Sequence, residues 1–444
     1  MKKIQLSDHF SYGKLIRFVI PSIIMMIFTS IYGVVDGLFI SNYVGKTPFA
    51  AVNIIYPFIM ILGAIGFMLG TGGSALVAKT LGEGKPKSAN EYFSLLIYTA
   101  IVSGIIIGII GIVFTAPISK LLGADVEMQK YCVIYARIIF AALPAFMLQN
   151  MFQSFLITAE KPTLGLVMTV IAGVTNIIMD ALLVAVFEFG IVGAAVATAL
   201  SQCVGGIVPL LYFVRKNSSL LHLTKTRFMG NVLWKSCSNG LSELVSNISM
   251  SLVSVLFNFQ LMRFAGEDGV AAYGVIMYVN FIFIGIFFGY SLGTAPIFGY
   301  NYGAANQAEL KNVFKKSMII ITTAGVILTG VALVLARPLS LIFVSYDQEL
   351  LSMTIRGFMI YALSFLICGF GIFGSSFFTA LNDGVVSAVI SFLRTVVFQV
   401  VAVVFLPMVF GLDGIWYSIV VAEVAATIVV FCFLFAKRKK YQYM

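Results

Sequence analysis

Four acids stand well inside apolar stretches of this chain: Asp36, Asp180, Glu243 and Glu423; the other 14 of its 18 sit in loops, tails or stretch ends. An aspartate in the middle of a membrane helix costs roughly 3 kcal/mol, which is offset when it faces a bundle interior or an aqueous cavity, so an acid so placed is a candidate for function. Asn176 and Asp180 are four residues apart and therefore share a helical face. Thr198, on the next apolar run, reaches the same region if consecutive helices pack antiparallel. With Asp36 these form an oxygen-rich set: Asp36, Asn176, Asp180 and Thr198. Two carboxylates in one low-dielectric site cannot both ionise cheaply, so the pair titrates as a unit. The chemistry is the carriage of a proton or the loose holding of a hard cation such as Na+. Spacing leaves both open, together with the plainer reading of a hydrogen-bonded cluster that glues helices.

A second set follows from Asn239, Glu243, Asn247, Ser251, Ser254 and Asn258, whose steps of four, four, four, three and four draw one polar stripe along a helix. Such a face should meet water, and a desolvated Glu243 is a natural counter-ion for an organic cation, helped by neighbouring aromatic rings. Glu243, Asn247 and Asn239 are therefore candidate substrate contacts. Gln149, Asn150 and Gln153 suggest a helix beside the same cavity and add Gln149 and Gln153 to that group. Arg394 and Glu423 are read as an internal ion pair of structural character.

These side chains need a membrane scaffold. The 444 residues are 60% hydrophobic and 10% charged with a mean hydropathy of +1.03, far from the composition of soluble proteins. Twelve apolar spans follow, near 15–43, 48–78, 92–117, 131–159, 163–187, 190–214, 232–264, 270–300, 313–336, 352–381, 385–409 and 414–436. The first contains Pro21, where a lost backbone hydrogen bond lets the helix bend; Pro21 is the expected hinge. Of the 28 Lys and Arg residues, 20 fall in the two tails and the loops on their side and 7 in the opposite loops, with Arg394 inside a span. This asymmetry places both tails in the cytoplasm, so the net charge of +10 is a topology signal and not a nucleic-acid footprint. The five cysteines have no paired spacing and imply neither disulfide nor zinc.

Features recur at a constant offset of 221 residues. Gly45 with Ala50-Ala51 returns as Gly266 with Ala271-Ala272; Gly72 and Gly82 return as Gly293 and Gly303; Pro117 returns as Pro338, and Gly190 with Gly193 as Gly411 with Gly414. The chain is a duplication whose halves, of six spans each, insert in the same orientation. The expected division is residues 1–214, a cytoplasmic connector 215–231, and residues 232–444. Opposite Asp36 and Asp180 the second half has Phe257 and Val401, so the acid pocket is not duplicated.

The runs Pro21…Asp36-Gly37…Gly45…Ala50-Ala51-Val52, Gly72-Gly73…Gly82-Glu83-Gly84, Gly293-Thr294-Ala295-Pro296…Gly303-Ala304, Asn176…Asp180…Gly190-Ile191-Val192-Gly193 and Gly411-Leu412-Asp413-Gly414 jointly resemble the multidrug and toxic compound extrusion (MATE) transporters, bacterial branch, over essentially all twelve spans. The resemblance implies an all-α membrane protein of 12 transmembrane helices in two parallel six-helix bundles forming an inverted V. It implies export of small cationic, often aromatic compounds in exchange for H+ or Na+, with no other cofactor, by a monomer in the bacterial cytoplasmic membrane. Asp36, Asn176, Asp180 and Thr198 then look like the ion-coupling pocket, Pro21 like its bending point and Glu243 like the acid of span seven. One departure stands: a sodium-coupled branch carries an acid in span ten, where this chain has Cys368-Gly369-Phe370-Gly371.

The rival within the superfamily is a flippase for a lipid-linked saccharide, whose phosphate calls for a cationic cavity. A membrane enzyme would need nucleophile or metal constellations, yet His9 and His222 are the sole histidines and lie in a tail and the connector. An ATP-driven pump would need a Gly-x4-Gly-Lys-Ser/Thr loop, which is absent from the sequence.

Overall fold

Helix boundaries in this chain are written by short polar caps, prolines and glycines. Ser11, Asp125, Asn306, Asp347 and Asp383 each accept a hydrogen bond from a backbone N–H of the first turn that follows them. Pro86 and Pro162 begin helices, where no backbone donor is needed. The computed structural model describes residues 4–345 and 347–444, without the side chain of Lys46. Lys2 and Lys3, two of the bases in the topology count, lie outside the described residues.

The described chain is helical with no strand. In order come α1 (Tyr12–Val44), α2 (Thr47–Gly82), α3 (Pro86–Leu121), α4 (Val126–Ala141 then Leu143–Thr158, bent by 60°), α5 (Pro162–Val186) and α6 (Gly190–Val214). The helical run Gly230–Gly303 leaves helical geometry at Gly266 (φ 61°, ψ −149°), so it holds two spans, α7 before that glycine and α8 after it. Then follow α9 (Gln307–Val344), α10 (Gln348–Ala362 then Phe365–Ala380, bent by 49°), α11 (Gly384–Phe410) and α12 (Leu412–Tyr441). Each of the twelve matches an expected span, most of them a few residues longer at the ends.

The duplication is visible in backbone conformation. Positive φ at Gly45, Gly84 and Gly190 returns at Gly266, Ala305 and Gly411, all at the 221-residue offset, and the bends of α4 and α10 occupy corresponding places. Two apolar cores result. One is centred on residues 40–223; the other is built from residues 253–443 together with Leu15, Phe18, Val19 and Met25 of α1. The first third of α1 thus packs against the second half, and the covalent and packing boundaries differ there.

The halves meet closely at the end that carries Leu6, Phe10 and Tyr441. A Cβ on Gly82 would lie 2.0 Å from the Tyr300 carbonyl oxygen, one on Gly303 2.0 Å from that of Lys79, and one on Gly240 1.9 Å from that of Met68. Only bare backbone fits at such crossings. The segment before α1 crosses the same end as a strap: the Leu6 N–H donates to Glu160 of the first half at 2.8 Å and the Phe10 N–H to Glu309 of the second at 2.9 Å. On the same face the Tyr441 hydroxyl donates to Asp383 at 2.6 Å.

Candidate functional site

α1 carries Asp36, α5 carries Asn176 and Asp180, and α6 carries Thr198; packing of these three helices turns all four side chains to one point, where Asp36 faces the other three. Asp180 is fully buried and Asn176 nearly so. Both Asp180 oxygens, Asp36 Oδ1 and Asn176 Nδ2 are shut away from solvent with no hydrogen-bond partner among the described residues, while the Thr198 hydroxyl donates to the Ala194 carbonyl at 3.1 Å. Unpaired buried oxygens are expensive, and a proton or a small cation between the two carboxylates supplies what they lack.

The pocket also has a tyrosine wall that sequence reasoning missed. Tyr135 is buried against Thr198 and near Asp36, and Tyr32 and the half-exposed Tyr56 lie near the same carboxylate. In the sequence these are aromatics in apolar runs, indistinguishable from core residues. Equally silent were the wide helical turns: α1 continues as a π-helix over Ile40–Val44 beyond Asp36, and α5 over Ala181–Val186 immediately after Asp180. A third, Leu393–Phe398, contains Arg394. Such turns collect at functional positions because the widened ladder loosens the helix locally.

A second feature lies between the halves. A cavity of about 310 Å³ is lined by Met26, Ser30 and Phe67 from the first half and by Glu243, Asn247 and Ser254 from α7, among others. A smaller one of about 80 Å³ adjoins it, bordered by Glu243, Asn150 and Gln153. Glu243 is common to both, and its carboxylate has no partner among the described residues. The polar stripe of α7 therefore does not act as one surface. Its middle faces the cavity, but Asn239 is buried and donates through Nδ2 to the carbonyls of Thr379 (2.9 Å) and Gly72 (3.4 Å), a cross-half staple. Gln149 likewise lies away from the central cavity: it packs on Gly205 and borders a separate space of about 10 Å³ with Gln153. Pro21 sits inside an unbroken helix, Tyr12–Phe39. Arg394 and Glu423 form the expected ion pair, with Nη2 to Oε1 at 2.9 Å.

The MatE family model matches the chain twice, over residues 21–182 and 244–405, once in each half. "Multidrug export protein MepA" of Staphylococcus haemolyticus is 26% identical over 438 residues, spanning 97% of this chain and 94% of that protein. A crystal structure of MATE in complex with MaL6 superposes with a TM-score of 0.94 at 23% identity over the whole of both chains. An outward-facing multidrug resistance MATE family transporter of the MOP superfamily gives 0.91 at 23% identity, covering 100% of this chain and 99% of that one. At such identities the structures speak for the fold. The two family matches together cover most of the chain, and the duplicated twelve-helix architecture agrees with them: the chain belongs to the MatE family.

Proposed function

We propose that the protein is a secondary-active multidrug exporter, which exchanges small organic cations for H+ or Na+ by alternating access in the cytoplasmic membrane, as a monomer with both tails inside. The name of the staphylococcal relative supports this reading. The observation that carries it is the separation of two acid sites: a pocket of Asp36 and the fully buried Asp180, three of whose four carboxylate oxygens are shut away from solvent without a partner, and Glu243 on a cavity between the halves. The first suits a bare ion, the second a substrate. Asp36, Asn176, Asp180 and Thr198 are the coupling group. Glu243 and Asn247, with Gln153 at the cavity's edge, contact substrate, and Pro21 is the point about which α1 bends when the ion arrives.

A phosphate-bearing cargo, with its several negative charges, fits this cavity less well, because the charged lining is net negative: two carboxylates against one guanidinium. The test is purified protein in liposomes with a lipophilic aromatic cation, under an imposed proton gradient and separately a sodium gradient. Uphill movement under either supports export; none under both overturns it. Single cysteines at Lys439 and Leu121, labelled in oriented vesicles, test the topology, and labelling of Lys439→Cys from outside the cytoplasm overturns it.

A further inference from the structure

One charged group of the central cavity has no task in that mechanism. Arg394 of α11 meets Glu423 of α12 side-on: Nε lies 3.0 and 2.9 Å from the two carboxylate oxygens, and Nη2 lies 2.9 Å from Oε1. Nη1 makes no bond among the described residues and is not among the sealed partnerless atoms, so it looks onto the cavity that Arg394 lines. Exposure divides accordingly, 12% for the arginine side chain and 2% for the glutamate. The seat is shaped for this side chain. A Cβ on Gly371 would come within 2.8 Å of Arg394 Cδ and Nε, so the guanidinium stem lies against bare backbone.

The same cavity therefore presents an unpartnered carboxylate, Glu243, and the open edge of a guanidinium. A guanidinium holds five N–H donors in a rigid plane and can serve two carboxylates at two edges, which an ammonium on a flexible stem does less well. We propose that Arg394 is an anion subsite of the substrate cavity, whose open edge seats the carboxylate of a zwitterionic compound while the amine lies at Glu243. This rests on the export reading given above. The bound carboxylate shares the guanidinium with Glu423, so the two compete for its charge. Removing the charge of Glu423 strengthens the subsite, and removing Arg394 abolishes it.

The experiment uses two fluorescent probes that differ by one group: rhodamine B, a zwitterion near neutrality, and its ethyl ester, a cation. Affinities are measured for the full-length protein in detergent, with size-exclusion profiles to confirm folding. The double variant Arg394→Gln, Glu423→Gln leaves no orphaned charge; it should weaken rhodamine B about tenfold and leave the ester within about twofold. Glu423→Gln alone should tighten rhodamine B relative to the ester, and Arg394→Lys should fall between wild type and the double variant. Equal changes for both probes, or no change in their ratio, overturn the proposal. Glu243→Gln serves as the separate control on the export reading, since it should weaken both probes. An ester unaffected by that change overturns the reading of Glu243, whereas the probe ratio at Arg394 decides the subsite.

Discussion

Asp36 and Asp180 occupy one pocket largely withdrawn from solvent, and the energetics of the site follow from that. Two negative charges there repel in a medium of low dielectric, and one arriving cation or proton relieves the repulsion. Asp36→Asn keeps the shape and removes a charge that costs roughly 3 kcal/mol to bury, so the variant should fold and insert normally. It should nevertheless lose uphill efflux in gradient-loaded liposomes; a variant that still concentrates substrate with an unchanged pH profile eliminates the coupling role. Glu243→Gln exchanges a charge-assisted contact for a neutral one, a difference of about 1–1.5 kcal/mol, or roughly 5- to 10-fold in the dissociation constant for a cation. Titration against a neutral ligand is the check, and an equal loss there removes the counter-ion role.

Between α7 and α8, Gly266 combines φ 61° with ψ −149°, a region closed to side chains, whereas Gly84 has φ 73° and its counterpart in the other half, Ala305, already carries a Cβ at φ 52°. Gly266→Ala should therefore cost about 1–3 kcal/mol and Gly84→Ala about 1 kcal/mol. Thermal unfolding in detergent compares the two directly. Equal shifts in melting temperature contradict the assignment of strain to Gly266. The wide turns after Asp36 and Asp180 are the other element-level device: they sit where the carboxylates must respond to an ion, and α1 itself is unbroken through Pro21.

For the whole molecule, alternating access requires the close crossings at the strapped end to separate. Gly82 approaches the backbone of Tyr300 and Ala304, and Gly303 that of Lys79. Lys79→Cys paired with Tyr302→Cys, in a background without the five native cysteines, puts two thiols where the Lys79 ammonium already lies over the Tyr302 ring across the halves, 5.2 Å from its centre. Oxidation should abolish transport and a reductant restore it. Full transport by the quantitatively crosslinked protein is incompatible with opening at this end.

Hydropathy, the 221-residue offset and the rarity of charge inside apolar runs were enough to read twelve spans, a duplication and the acids Asp36, Asp180, Glu243 and Glu423, because burying charge in a membrane is so costly that its position is informative in one dimension. The face shared by Asn176 and Asp180 was legible for the same reason, four residues being about one helical turn. What the helices touch was not legible. Asn239 and Glu243 have the same four-residue relation, yet one staples two halves together and the other opens on a cavity, since that depends on where Gly72 and Thr379 arrive from distant parts of the chain. Tyr135 became part of the acid pocket, and Arg394 kept one edge open beside Gly371, through the same cause. Helix register and inter-helix approach are set by packing across hundreds of residues, and only the tertiary structure decides them.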